Sequence, residues 1–137
     1  MNREDLNFYL QQTEPEQIIK LSTKIQAQHN VETLQRPVAQ TLLLPVNDPV
    51  NHGKFYGGEI LVVSVIVRVN QCEGWAMTMD TEQDTVFHMA VLDGAWASGI
   101  EQRAIAELVR SGKNNHHNRC CKEAAEVNAT RVNFDLM

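Results

Sequence analysis

Apolar positions along the chain change period twice, and the changes divide it into helices, then strands, then helices. Leu6, Tyr9 and Leu10 recur at helical spacing within residues 3–12 and predict a short first helix. Thr13 followed by Glu16 has the form of a capping box, with Pro15 in the first turn where a missing N–H costs little. The second helix then runs to about Gln28, with Ile18, Leu21 and Ile25 on one face.

From Val31 the reading is extended. Residues 31–35 and 38–45 predict two strand segments, separated by Pro37, which cannot donate to a ladder. Asn47, Asp48, Pro49, Asn51, His52 and Gly53 predict a turn. The strongest strand, residues 59–69, follows Gly57 and Gly58. A turn at Asn70–Gly74 leads into a further strand over 75–79. Strands joined by such short turns should pair antiparallel. Within 59–69 the odd positions Leu61, Val63, Val65, Val67 and Val69 share one face, and Ile60, Val62, Ser64 and Ile66 share the other. A half-exposed strand would alternate apolar with polar; this one is apolar on both sides. Its length of about 36 Å exceeds what so small a domain needs, so another molecule should share in covering it.

Asp80 or Thr81 is placed to cap the next helix, with Glu82 and Asp84 favouring its dipole. Val86, Phe87, Met89, Ala90, Val91 and Ala97 give that helix a broad apolar face. The small residues from Gly94 to Gly99 imply close packing and then a break. A helix from about Ile100 carries Ala104, Ile105, Leu108 and Val109, with Gly112 as its expected C-cap. A last short helix over 116–126 and a final extended segment with Val132, Phe134 and Leu136 complete an expected α+β domain over 1–137. It would have N-terminal helices, an antiparallel sheet of about four strands, and C-terminal helices packed on the sheet.

With 137 residues, 43% of them hydrophobic, the chain is long enough for one core and too short for two comfortable ones. Its formal net charge of -5 and scattered basic residues argue against nucleic acid and against an anionic membrane surface. The opening MNREDLNFYLQQ lacks the apolar run of a signal peptide, and Ile60–Val67, broken by Ser64, is too short to span a bilayer. Cys72, Cys120 and Cys121 cannot all pair within one chain, so a reducing cytoplasmic compartment is expected.

Candidate chemistry is sparse. His116–Cys120 and His117–Cys121 each sit one helical turn apart, as metal ligands can, but the two pairs point about 100° apart and cannot reach one ion. The flanking Asn114, Asn115 and Asn118 suggest solvated surface, and no metal site is assigned. His52 has the form of a loop acid or base, or of an ordinary loop histidine. His88, near Asp84, reads as a surface or semi-buried pair. Asp93, in AVLDGAWA, sits among small apolar residues where a carboxylate needs a partner unless it faces solvent. Glu126, Asn128 and Arg131 interleave with apolar anchors; Arg131 has the fork to bind a carboxylate or phosphate, and an interface segment fits the same pattern.

The segment EVNATRVNF at 126–134 resembles the C-terminal signature of the PhnG family, a component of the carbon–phosphorus lyase core complex. GEILVVSVIVRV from Gly58, GWAMTMD from Gly74 and AVLDGAWA from Ala90 are similar to that family's strands and following helix. The resemblance implies assembly with subunits H, I and J. With H, I and the ATPase-like subunit L it implies support for displacing adenine from ATP by an alkylphosphonate. In that family subunit I is taken as the catalytic subunit and radical C–P cleavage belongs to subunit J. No catalytic residue and no cofactor of its own carry over to this chain. A homodimer in isolation is the accompanying expectation. The rival expectation is a stand-alone small-molecule-binding or metal-dependent enzyme using His52 and Asp93 or the His116–Cys121 cluster.

Overall fold

The structure is a computed structural model that describes residues 1–79 and 83–132. Its elements run α1 (Arg3–Leu10), α2 (Pro15–Gln28), β1 (Val31–Asn47), β2 (Lys54–Val69), β3 (Cys72–Thr78), α3 (Gln83–Ala97) and α4 (Gln102–Ala129). The architecture is α+β, with one antiparallel sheet in the order β1-β2-β3. It has three strands rather than about four, because the two segments expected on either side of Pro37 form one continuous strand. Register shifts between Thr33 and Gln35 and between Gln35 and Val38 insert extra residues into β1 around Pro37. Bulges of this kind leave a residue unpaired, so the missing N–H of proline breaks no ladder bond. A third shift falls between Leu44 and Pro45, opposite Gly57.

Val65, Val67 and Val69 on one face of β2 are fully buried, under the α3 residues Val86, Met89, Ala90 and Val91. Leu6 and Leu10 of α1, Ile18 and Ile25 of α2, and Ile105 and Val109 of α4 complete this core. Helix α3 lies unusually close to β3. A Cβ on Gly74 would fall 2.3 Å from the carbonyl oxygen of Ala90, and one on Gly94 would fall 2.7 Å from a methyl of Val69. The small residues of α3 thus let backbone meet backbone, and the helix ends as expected before Gly99, whose φ is +75°.

Three further expectations need correction. Thr13 is not part of a capping box: Glu14 is the N-cap of α2, and the buried Thr13 hydroxyl donates to the carbonyls of Tyr9 (3.1 Å) and Leu108 (3.2 Å). Gly112 does not end a helix. It lies inside α4, where a Cβ would meet the Tyr9 carbonyl oxygen at 2.1 Å, so its missing side chain serves the crossing of α1 over α4. The helices expected over 100–112 and 116–126 are therefore one element running to Ala129. The capping residues 80–82, and Phe134 and Leu136 of the final extended segment, lie outside the described residues.

Candidate functional site

Asp93 is the one acidic side chain drawn into the core among the described residues, about 1% exposed. Its burial would be costly without partners, and it has a full set. Arg3 Nε donates to Oδ1 at 3.0 Å and Arg3 Nη2 to Oδ2, while the Trp75 amide donates to Oδ2 at 2.8 Å. The same guanidinium donates to the Glu73 carbonyl at 2.8 Å. The hydrogen bond to Asp93 raises the Arg3 pKa further above its ordinary value, with burial opposing it. This bidentate clamp ties α1 to β3 and α3, and it engages both carboxylate oxygens in internal bonds. Of the two readings left open for Asp93, the paired one holds.

His88 is half-buried rather than a surface partner of Asp84. Its Nδ1 lies 2.9 Å from Ser22 Oγ and 3.5 Å from Gln26 Nε2. Burial pushes its pKa below the usual imidazole value, with the Asp84 charge opposing. His52 stands in the turn between β1 and β2, exposed and with φ at +55°, where its amide donates to the Asp48 carbonyl at 3.1 Å. Asp48 holds that turn through the Val50 amide (2.8 Å) and the Asn51 side chain (2.9 Å), bonds that lower its pKa. His52 is thus at one end of β2 and Asp93 beside the strand paired with its other end. The chain does not bring the two together.

Glu126 and Asn128 project from the exposed last turns of α4, and Arg131 follows the helix end, its amide donating to the Asn128 carbonyl at 3.3 Å. No described hydrogen bond or ion pair joins their side chains to each other or to Asp93. Cys120 Sγ lies 3.6 Å from His116 Nε2, and Cys121 Sγ lies 3.6 Å from His117 Nε2, on an exposed stretch of helix. Among the described residues no group of three or more His, Cys, Asp or Glu side chains could hold a metal ion.

The broadest feature is apolar. β3 pairs with β2 only from Val63 onward, so residues 54–62 and their β1 partners extend past it as a two-stranded arm. At ~3.3 Å per residue, nine residues of β2 give an arm of about 30 Å. Leu43, Phe55, Tyr56 and Leu61 are 53%, 53%, 70% and 66% exposed along it, with Leu42 and Leu44 beside them. On the sheet face away from α3, Ile66, Trp75 and Met77 stay half-exposed. Ser64 on that face is sealed by the amides of Gln35 (3.0 Å) and Gln40 (2.7 Å). A groove of about 570 Å³ lies between α2 and α4, floored by Leu21, Ala104 and Leu108 and rimmed by Lys20, Lys24 and Glu107.

The described residues thus form an α+β domain with a meander sheet, one helix-covered face and an arm that exposes apolar side chains. Over residues 1–137 the chain matches the family described as phosphonate metabolism protein PhnG, and it belongs to that family. Its role is therefore in phosphonate metabolism. Comparison with curated proteins gives no match. No described helix is long and apolar enough to cross a membrane.

Proposed function

We propose that this chain is an accessory subunit of the carbon–phosphorus lyase complex. It supports, without itself catalysing, the transfer of an alkylphosphonate to the ribose C1 of ATP with loss of adenine. The observation that carries the reading is the arm: a two-stranded ribbon of about 30 Å, from the strand rise, along which Leu42, Leu43, Leu44, Phe55, Tyr56 and Leu61 stay exposed among the described residues. Exposed apolar surface on this scale is stabilised by contact with a partner. Subunit I is the partner proposed, within an assembly containing H and J and served by L for the transferase step; a second copy takes its place when the chain is alone. Glu126, Asn128 and Arg131, displayed at the far end of α4, are the polar part of the same contact surface. The chain works in the cytoplasm as a single domain and brings no cofactor of its own to the reaction.

Co-expression tests this. Subunit I should be soluble and active in phosphonate–ribose transfer with H, L and this chain, and should lose solubility or activity when this chain is omitted. Equal solubility and activity without it would refute the accessory role. Arg131→Ala should weaken assembly or activity, and unchanged complex mass and rate would remove Arg131 from the surface.

A further inference from the structure

We infer that His117 and Cys121 form half of a closed, zinc-type site that a second copy of this chain completes. The inference stands independently of the accessory role above. Cys121 Sγ lies 3.6 Å from His117 Nε2. Zn–N bonds of about 2.0–2.1 Å and a Zn–S bond of about 2.3 Å at tetrahedral angles require a N···S edge of about 3.6 Å. The helix therefore already holds both ligand atoms at the spacing a tetrahedral ion needs, on a solvent-exposed face.

The neighbouring pair has the same 3.6 Å spacing and a different environment. Arg119 Nη2 lies 3.3 Å from His116 Nδ1. A guanidinium only donates, so this contact favours the tautomer in which Nδ1 accepts and Nε2, the atom nearer Cys120, carries the proton. The His116 ring also meets Phe8 edge-to-face at 5.1 Å. In that tautomer His116 Nε2 donates toward sulfur and offers no lone pair to a metal. Among the described residues no such guanidinium contact ties His117.

One chain supplies two ligands, and among the described residues no third joins them. Two chains supply two imidazoles and two thiolates, which is the closed Cys2His2 set of structural zinc sites. Ala124 and Ala125, exposed one turn beyond Cys121, present little bulk to an approaching helix. On binding, each Cys121 thiol loses its proton to solvent as a Zn–S bond forms; no oxidant or reductant is consumed. With all four positions filled by protein, the ion bridges the two chains and has no open position for catalysis.

The test uses Co²⁺ as a coloured zinc substitute, titrated into the metal-free chain with a phosphine reductant and followed by absorption and native mass spectrometry. A thiolate-to-cobalt band should saturate at one ion per two chains, in a dimer from which EDTA removes the ion and the metal-dependent mass together. His117→Ala and Cys121→Ser should each abolish the band; His116→Ala and Cys120→Ser should retain it. His117, Cys120 and Cys121 are exposed and His116 is half-buried against Phe8, and circular dichroism verifies folding of each variant. Absence of the band, its survival in His117→Ala or Cys121→Ser, or saturation at one ion per chain would overturn the inference.

Discussion

At the scale of single residues, what decides each role is a neighbour distant in sequence. Asp93 was legible as a carboxylate in need of a partner, since its apolar surroundings announce the cost of burying it. Its partner was not legible, because Arg3 stands 90 positions away and reads locally as a first-turn surface residue. Gly112 shows the converse error. A glycine after a helical stretch signals a C-cap, yet here it is a contact point for the Tyr9 carbonyl, which no local pattern reveals. Gly112→Ala separates the two roles. Within a helix alanine is favoured over glycine by about 1 kcal/mol, so an uncrowded site would gain stability. With backbone 2.1 Å from the new Cβ, α1 and α4 must part, and urea denaturation should give a lower midpoint than the parent.

His88 carries a pH prediction with a definite sign. Burial holds its folded pKa below the usual value, so the folded state binds fewer protons there than the unfolded chain does. The stability contributed by keeping it neutral is present above the unfolded pKa of about 6.5 and is lost as pH falls from there through the folded value. His88→Gln, which keeps a polar group facing Ser22, removes the titration. Urea midpoints at pH 7 and pH 5 should fall further in the parent than in the variant; equal losses would mean that the imidazole does not drive the change.

At the scale of elements, helix and strand types were readable and their lengths were not. Pro37 looked like a break between strands because proline lacks an N–H, but paired bulges absorb it and β1 runs on to Asn47. The strands also run past their expected ends, Lys54 rather than Glu59 opening β2, since Gly58 pairs with Leu44 and Gly57 is taken up as a bulge instead of ending the strand. Those added residues form the outer part of the arm. Leu43 and Leu61 contribute little to folding there, being more than half exposed. Leu43 is opposite Glu59, so Leu43→Lys gains a cross-strand ion pair, and Leu61→Thr brings in a β-branched side chain suited to a strand. The double variant should unfold within about 0.5 kcal/mol of the parent, as surface changes usually do. It should nevertheless lose capture of subunit I in a pull-down; capture at parental level would show that the arm is not the docking element.

At the scale of the whole molecule, the two-sided apolar pattern of residues 59–69 led to the expectation of a partner; in the structure Leu61 is the strongly exposed apolar side chain of that stretch, and the contact surface proposed above has two chemically unlike parts. The arm is mostly apolar, with Lys54 and Glu59 as its charges, whereas the end of α4 offers Glu126, Asn128 and Arg131. Ionic strength distinguishes which part carries the assembly. Screening shortens from about 8 Å at 0.15 M salt to about 3 Å at 1 M, weakening exposed ion pairs while leaving apolar burial intact. A complex held by the arm should keep its dissociation constant within a few-fold as sodium chloride rises from 0.15 to 1 M, with its association rate free to change. The net charge of -5 adds a long-range term that depends on the partner's charge, but this term acts on encounter more than on the docked state. Sedimentation of the complex across that salt range is the measurement. Dissociation at high salt would move the principal contact from the arm to the polar end of α4, where Arg131→Ala would then be the variant with the larger effect.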